Sequence, residues 1–182
     1  MESCPRAVVG EIGVDKVYKA NGVNTFATGH QQQLFHIQVD LAIELKRPIN
    51  VHCVQAHGWL FDFFRDIAKD KTKAENLPPV LLHSFTGSAD MVTGLLKIPK
   101  VGKKFYFSFS AIINLTNSSK KLDAAIQIVP EDRLLLESDW NYCSNQEKGM
   151  SDIIGYISKM RNWTVDQTIT ISTQNATTFF SI

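Results

Sequence analysis

Pro48-Ile49-Asn50-Val51-His52-Cys53 and, beyond a helical pattern over His57 to Lys71, Val80-Leu81-Leu82-His83 are the stretches that decide the fold. Each is a short apolar run with little strict alternation and a histidine at its downstream end. Strands buried on both faces, as in a parallel sheet, read this way. The two histidines lie 31 residues apart, the length of one βα unit (roughly 30 residues).

Working outward, three further runs repeat the pattern. Ala7-Val8-Val9 leads into Gly10-Glu11-Ile12-Gly13, Phe105-Tyr106-Phe107-Ser108-Phe109 stands alone, and Leu134-Leu135-Leu136 leads into Glu137-Ser138-Asp139. Helical patterns separate them. Gln31 to Lys46 places Leu34, Ile37, Leu41 and Leu45 on one predicted stripe and is ended by Pro48. His57 to Lys71 does the same with Leu60, Phe63, Phe64 and Ile67. Ser88 is the expected cap of a helix over 89–96, and Ser118 or Ser119 of one through Ile128. Two more helices are expected, near 149–160 and 164–180, the second opened by a Thr164–Gln167 capping box. Five strands, each followed by a helix, predict an α/β fold with a parallel sheet in a single domain over residues 1–182.

Glu11, His52, His83 and Asp139 then fall at strand ends in equal phase, the Phe105–Phe109 unit being skipped. Equal phase puts them on one rim, where parallel α/β folds carry their active sites. Two imidazoles and two carboxylates suit a divalent metal of the Zn, Mn or Fe type, or a carboxylate-bridged pair given further ligands. A lone histidine after an apolar run is more often a packed core residue. Two at repeat spacing with flanking acids shift the balance toward a metal.

Composition sets the outer bounds. The 182 residues carry a net charge of +1 with 44% hydrophobic and 20% charged residues, which excludes a disordered chain and a strongly basic nucleic-acid tail. No apolar run approaches the roughly 18 residues that span a bilayer, so no membrane association is expected. Three scattered cysteines and no secretory pattern at the start predict an intracellular protein, cytoplasmic or nuclear. The basic stretch Lys97 to Lys104 precedes a strand, so it belongs to the far rim and reads as a solvated loop. Lys16, Lys19, Lys120 and Lys121 follow strands and stand as candidate rim cations or plain surface lysines. Trp140 is either a base-stacking platform or a packing residue.

At these residues the chain resembles the TatD family of metal-dependent hydrolases. The matching stretches are Gly10-Glu11-Ile12-Gly13-Val14-Asp15, Gln33-Leu34-Phe35, Leu41-Ala42-Ile43-Glu44-Leu45 and Pro48-Ile49-Asn50-Val51-His52-Cys53. They continue with Leu82-His83-Ser84-Phe85-Thr86-Gly87-Ser88, Leu134-Leu135-Leu136-Glu137-Ser138-Asp139 and Gln174-Asn175-Ala176. The resemblance implies a TIM-type (β/α) barrel, about five of eight units present, and deoxyribonuclease-like cleavage of phosphodiesters. It implies that Glu11 bridges two metals, that His52 and His83 bind one, and that Asp139 binds the other and activates water. The expected metals are Mg, Mn or Zn, two in the family and one here. The family's His-x-His is absent from His30, His36, His52, His57 and His83; Val54 replaces an expected Arg, and Asn141 an expected Pro. The resemblance implies DNA as substrate, and the departures predict an N-terminally truncated chain with impaired activity and self-association through open barrel edges. The alternative is a catalytically inactive partner-binding or regulatory protein. Related amidohydrolase barrels would need a rim lysine where Glu11 stands.

Overall fold

The computed structural model describes Cys4 and residues 7–116 and 119–180. In chain order the elements are β1 (Val9–Asp15), the two-residue strands β2 (Lys19–Ala20) and β3 (Val23–Asn24), α1 (His30–Leu45), β4 (Ile49–Val54), α2 (His57–Ile67), α3 (Lys71–Asn76) and β5 (Val80–Leu82). They continue with α4 (Ala89–Leu96), β6 (Phe105–Ser110), α5 (Lys120–Ile128), β7 (Leu134–Glu137), α6 (Gln146–Arg161) and α7 (Val165–Phe180). The residues group into two compact units, one of 1–82 with 94–105 and one of 83–93 with 106–182.

In the first unit β4 pairs in parallel with β1 on one side and β5 on the other. Gly13 lies opposite His52 in this ladder, and the approach is close: a Cβ at residue 13 would sit 1.9 Å from the His52 carbonyl oxygen. Only glycine lets β1 run there. Behind the sheet the core is aromatic, with Phe35, Phe64 and Phe105 fully buried. Phe35 meets Phe63 edge to face at 4.9 Å, and Phe64 meets Phe105 at 4.9 Å. Such pairs add about 0.5–1.5 kcal/mol each to the burial term.

Here α1 departs from the expected stripe. Leu34, Ile37 and Leu41 are exposed, Ile37 at 65%, and the buried face is Phe35, Val39 and Ala42. Apolar residues lie on both sides of this helix, so periodicity alone leaves its phase ambiguous. Phe35 decides it by entering the cluster with Trp59, Phe63 and Phe64. On α2 the expected residues Leu60, Phe63, Phe64 and Ile67 are all buried. The helix expected to reach Lys71 stops at Ile67, and Asp70 caps a separate α3 by accepting from the Lys73 N–H at 3.0 Å.

The second unit pairs β6 with β7 in parallel, Ser108 facing Leu135 and Ser110 facing Glu137. Its core holds Phe107, Phe109, Ile126, Leu134, Ile153, Ile157 and Phe179. Ser119 caps α5, and Ser118, the other expected cap, lies outside the described residues. Thr164 and Gln167 cap each other reciprocally at 3.1 and 2.8 Å, as the capping box requires. Asn175 on α7 donates to the carbonyl oxygens of Glu131 and Leu134 at 2.7 and 2.8 Å, tying that helix to the start of β7. Among the described residues no helix is long and apolar enough to cross a membrane.

Candidate functional site

The four sequence-derived candidates enter as two pairs, one in each unit. In the first unit Glu11 lies inside β1 rather than at its end, because the strand runs on to Asp15. His52 likewise lies within β4. Its Nδ1 is 3.3 Å from Glu11 Oε1 and its Nε2 3.6 Å from Asp15 Oδ2. Asp15 is the residue at the true strand end, and the reading from apolar runs passed over it.

Asp15 is well fixed. Its Oδ1 accepts from the Val17 and Tyr18 N–H groups at 2.8 and 3.1 Å, which turns the chain out of β1. The Gln31 side chain accepts from the Asp15 N–H at 2.6 Å and donates to its carbonyl at 3.0 Å, as a neighbouring strand would. Beside the pair is an open cavity of about 550 Å³, walled by Tyr18, Ala20, Thr25, His30, Gln31 and Leu34 along with Glu11, Asp15 and His52. The hairpin β2–β3 supplies Ala20 to it. Its tight turn puts Asn21 at φ 50° and Gly22 at φ 80°, and Asn-Gly is the strongest short hairpin signal a sequence offers. Cys53 is half-buried, and desolvation pushes its thiol up to about 12.

In the second unit His83 directly follows β5 and Asp139 follows β7 by two residues. His83 Nε2 is 3.3 Å from Asp139 Oδ1, and its Nδ1 is 3.0 Å from Glu137 Oε2. The other Glu137 oxygen, Oε1, accepts from the Ser84 N–H and Ser84 Oγ at 2.8 Å each and from Ser108 Oγ at 2.9 Å. Ser84 Oγ also reaches Ser110 Oγ at 2.8 Å and Asp139 Oδ2 at 3.4 Å. Burial pushes the Glu137 carboxyl up. The hydrogen bond and charge of His83 and the two hydroxyls outweigh it and hold the group below its usual range. Ser84 and Asp139 both adopt left-handed backbone, φ 41° and 57°, a strain that surroundings must hold in place. The β6 unit, skipped in the sequence reading, thus contributes Ser108 and Ser110.

Lys16, Lys121 and Trp140 each have a packing or hydrogen-bond partner in this setting. Lys16 Nζ sits 5.2 Å from the Phe26 ring centre, and Lys121 donates to the Thr86 carbonyl at 3.1 Å. Trp140 packs against α6 where Gly149 leaves room; a Cβ there would lie 2.8 Å from the indole.

Nitrogen and carboxylate oxygen donors fit a divalent cation of the Zn, Mn or Mg type. In each pair the histidine stands between two carboxylates, one per ring nitrogen, so the three groups do not converge on one point. Among the described residues no three His, Cys, Asp or Glu side chains are gathered as a metal cage. Each pair therefore offers two donors, leaving positions for water or substrate.

The sequence profile of the family described as TatD related DNase matches residues 3–181. The chain belongs to the TatD family. It is 28% identical over 222 residues to the Cut9-interacting protein scn1 of Schizosaccharomyces pombe, covering all of this chain and 64% of that one. It is 31% identical over 190 residues to an uncharacterized metal-dependent hydrolase of Buchnera aphidicola, covering 99% of this chain and 66% of that one. The crystal structure of the TatD homologue YjjV from Escherichia coli superposes with a TM-score of 0.73 at 21% identity, over 96% of this chain and 64% of that one. That likeness shows the fold of this TatD-family chain to be α/β of the TIM type. The chain spans about two thirds of the length of these relatives.

Proposed function

We propose that this chain is a metal-dependent phosphodiesterase acting on DNA, with Glu11 and His52 in one unit and His83 and Asp139 in the other as its metal-holding residues. Membership of a family described by its deoxyribonucleases supports the reaction class. The observation that carries the residue assignment is His83 held between two carboxylates, its Nε2 turned to Asp139 at 3.3 Å. A carboxylate behind one ring nitrogen orients the imidazole, so that its other nitrogen and Asp139 are presented side by side as cation donors.

A bound divalent cation supplies Lewis acidity toward a phosphoryl oxygen and brings a water near ionisation at neutral pH. Asp139 accepts the proton of the attacking water at its carboxylate, and Ser84 Oγ, 3.4 Å from Oδ2, steadies that group. Glu11 and His52 would hold a cation in their own unit, beside the open cavity that they help to line. With a net charge of +1 the chain has no strong field for phosphate, so contacts within the cavity determine affinity.

The test compares cleavage of DNA by the native chain and His83→Ala with added Mg²⁺, Mn²⁺ or Zn²⁺, alongside calorimetric metal binding. We expect metal-stimulated cleavage that falls by about 10²-fold or more in the variant. A native chain that folds, binds no metal and cleaves nothing refutes the reading. That result supports a partner-binding role instead, a second reading favoured by the exposed Leu34, Ile37 and Leu41 face of α1.

A further inference from the structure

Glu137 ends β7, and its two oxygens do different work. Oε1 has three donor groups within 2.9 Å: the Ser84 N–H, Ser108 Oγ and Ser84 Oγ, the last with one hydrogen that Ser110 and Asp139 also lie within reach of. Among the described residues Oε2 has one hydrogen-bond neighbour, His83 Nδ1 at 3.0 Å. An ionised carboxylate can only accept, and one faces each ring nitrogen; the Glu137 contact is the shorter, 3.0 against 3.3 Å, so the single proton of the neutral ring belongs on Nδ1. The lone pair of the neutral ring is then on Nε2, on the side of Asp139.

We infer that Glu137 is a positioning residue that fixes the tautomer and ring angle of His83, so that Nε2 faces Asp139 as a ready ligand for a divalent cation. The inference rests on the proposed role of His83 and goes beyond it, since it gives Glu137 a role through His83 and not as a metal-holding residue. A carboxylate behind a ligating histidine raises its basicity and removes the cost of choosing an orientation. The three donors on Oε1 hold the carboxylate, the carboxylate holds the ring, and β6 anchors the arrangement through Ser108. The same three donors also make the consequence of an isosteric change definite. In Glu137→Gln the amide oxygen must stay where the backbone N–H of Ser84 points, because that group has nothing but a proton to offer. The amide nitrogen then occupies the Oε2 place and donates to Nδ1. The imidazole proton is driven to Nε2, and the ring's lone pair is turned away from the ligand position.

The experiment is nitrogen NMR of the histidine rings on metal-free protein at alkaline pH, where the imidazole is neutral, followed by Zn²⁺ and Mn²⁺ titration by calorimetry. In the native chain His83 should carry its proton on Nδ1. In Glu137→Gln the tautomer should reverse, and metal affinity should drop by about 10- to 100-fold. A native His83 protonated on Nε2 overturns the inference, and that measurement needs no variant to fold. So does a folded Glu137→Gln that keeps the Nδ1 proton, the result expected if Glu137 only supports the loop. A native chain that binds neither metal refutes the proposed hydrolase reading, while the tautomer still judges Glu137 by itself.

Discussion

His52 has a carboxylate on each ring nitrogen, at 3.3 and 3.6 Å, and its side chain is 40% exposed. His83 has the same arrangement at 3.0 and 3.3 Å with 11% exposure. The first is open to water beside a cavity; the second is enclosed by hydroxyls and a hydrogen-bonded carboxylate. Screening by water and salt makes exposed pairs worth about 0–1 kcal/mol. Buried ones are held rigidly and are costly to break. The two settings therefore differ in what holds them: the first is a screened, exposed pair, the second a buried one fixed by its surroundings.

The largest expected contrast is in stability. Glu137→Ala takes the charged acceptor away from the Ser84 N–H, the Ser108 hydroxyl and His83 Nδ1, at a cost of about 2–4 kcal/mol read from urea unfolding. Asp15→Ala removes an acceptor from two exposed N–H groups, and its cost should be about 1 kcal/mol. If the two variants unfold alike, the difference in setting carries no energy.

Acid should sharpen the contrast in a known direction. The folded state holds the Glu137 carboxyl below its usual range. Its contribution is complete above the unfolded value of about 4.3 and is lost as pH falls through the lower folded value. The stability gap between the native chain and Glu137→Gln should accordingly narrow as pH drops below about 4.3. A gap that widens would reverse the sign assigned to this group. The smallest effect belongs to the open setting: Glu11→Gln should change stability by less than about 0.5 kcal/mol. Thermal unfolding with and without added salt measures it.

The sequence made the strands legible because His52 and His83 follow apolar runs one βα unit apart, and the Thr164–Gln167 box marked the start of α7 to the residue. Asp15 was hidden since β1 continues through Gly10–Glu11, polar-looking residues that a run of valines does not announce. Glu137 and Ser108 were hidden for a different reason. Their importance lies in hydrogen bonds between β6, β7 and the loop after β5, and no periodicity encodes which hydroxyl meets which oxygen. The exposed stripe of α1 shows the limit of pattern alone, because a helix with leucines on one side and Phe35 on the other is decided by its aromatic neighbours. The Asn21–Gly22 turn could have been read directly.

Ser84 has one hydroxyl hydrogen and three acceptors within reach, on Ser110, Glu137 and Asp139. It can serve only one at a time, while its backbone N–H stays on Glu137 regardless. A gain of negative charge at Asp139 would draw that hydrogen by a simple rotation, with no heavy atom displaced. The serine is thus a rotor between two acids, able to follow a shift of charge from one to the other while the scaffold around it stays still.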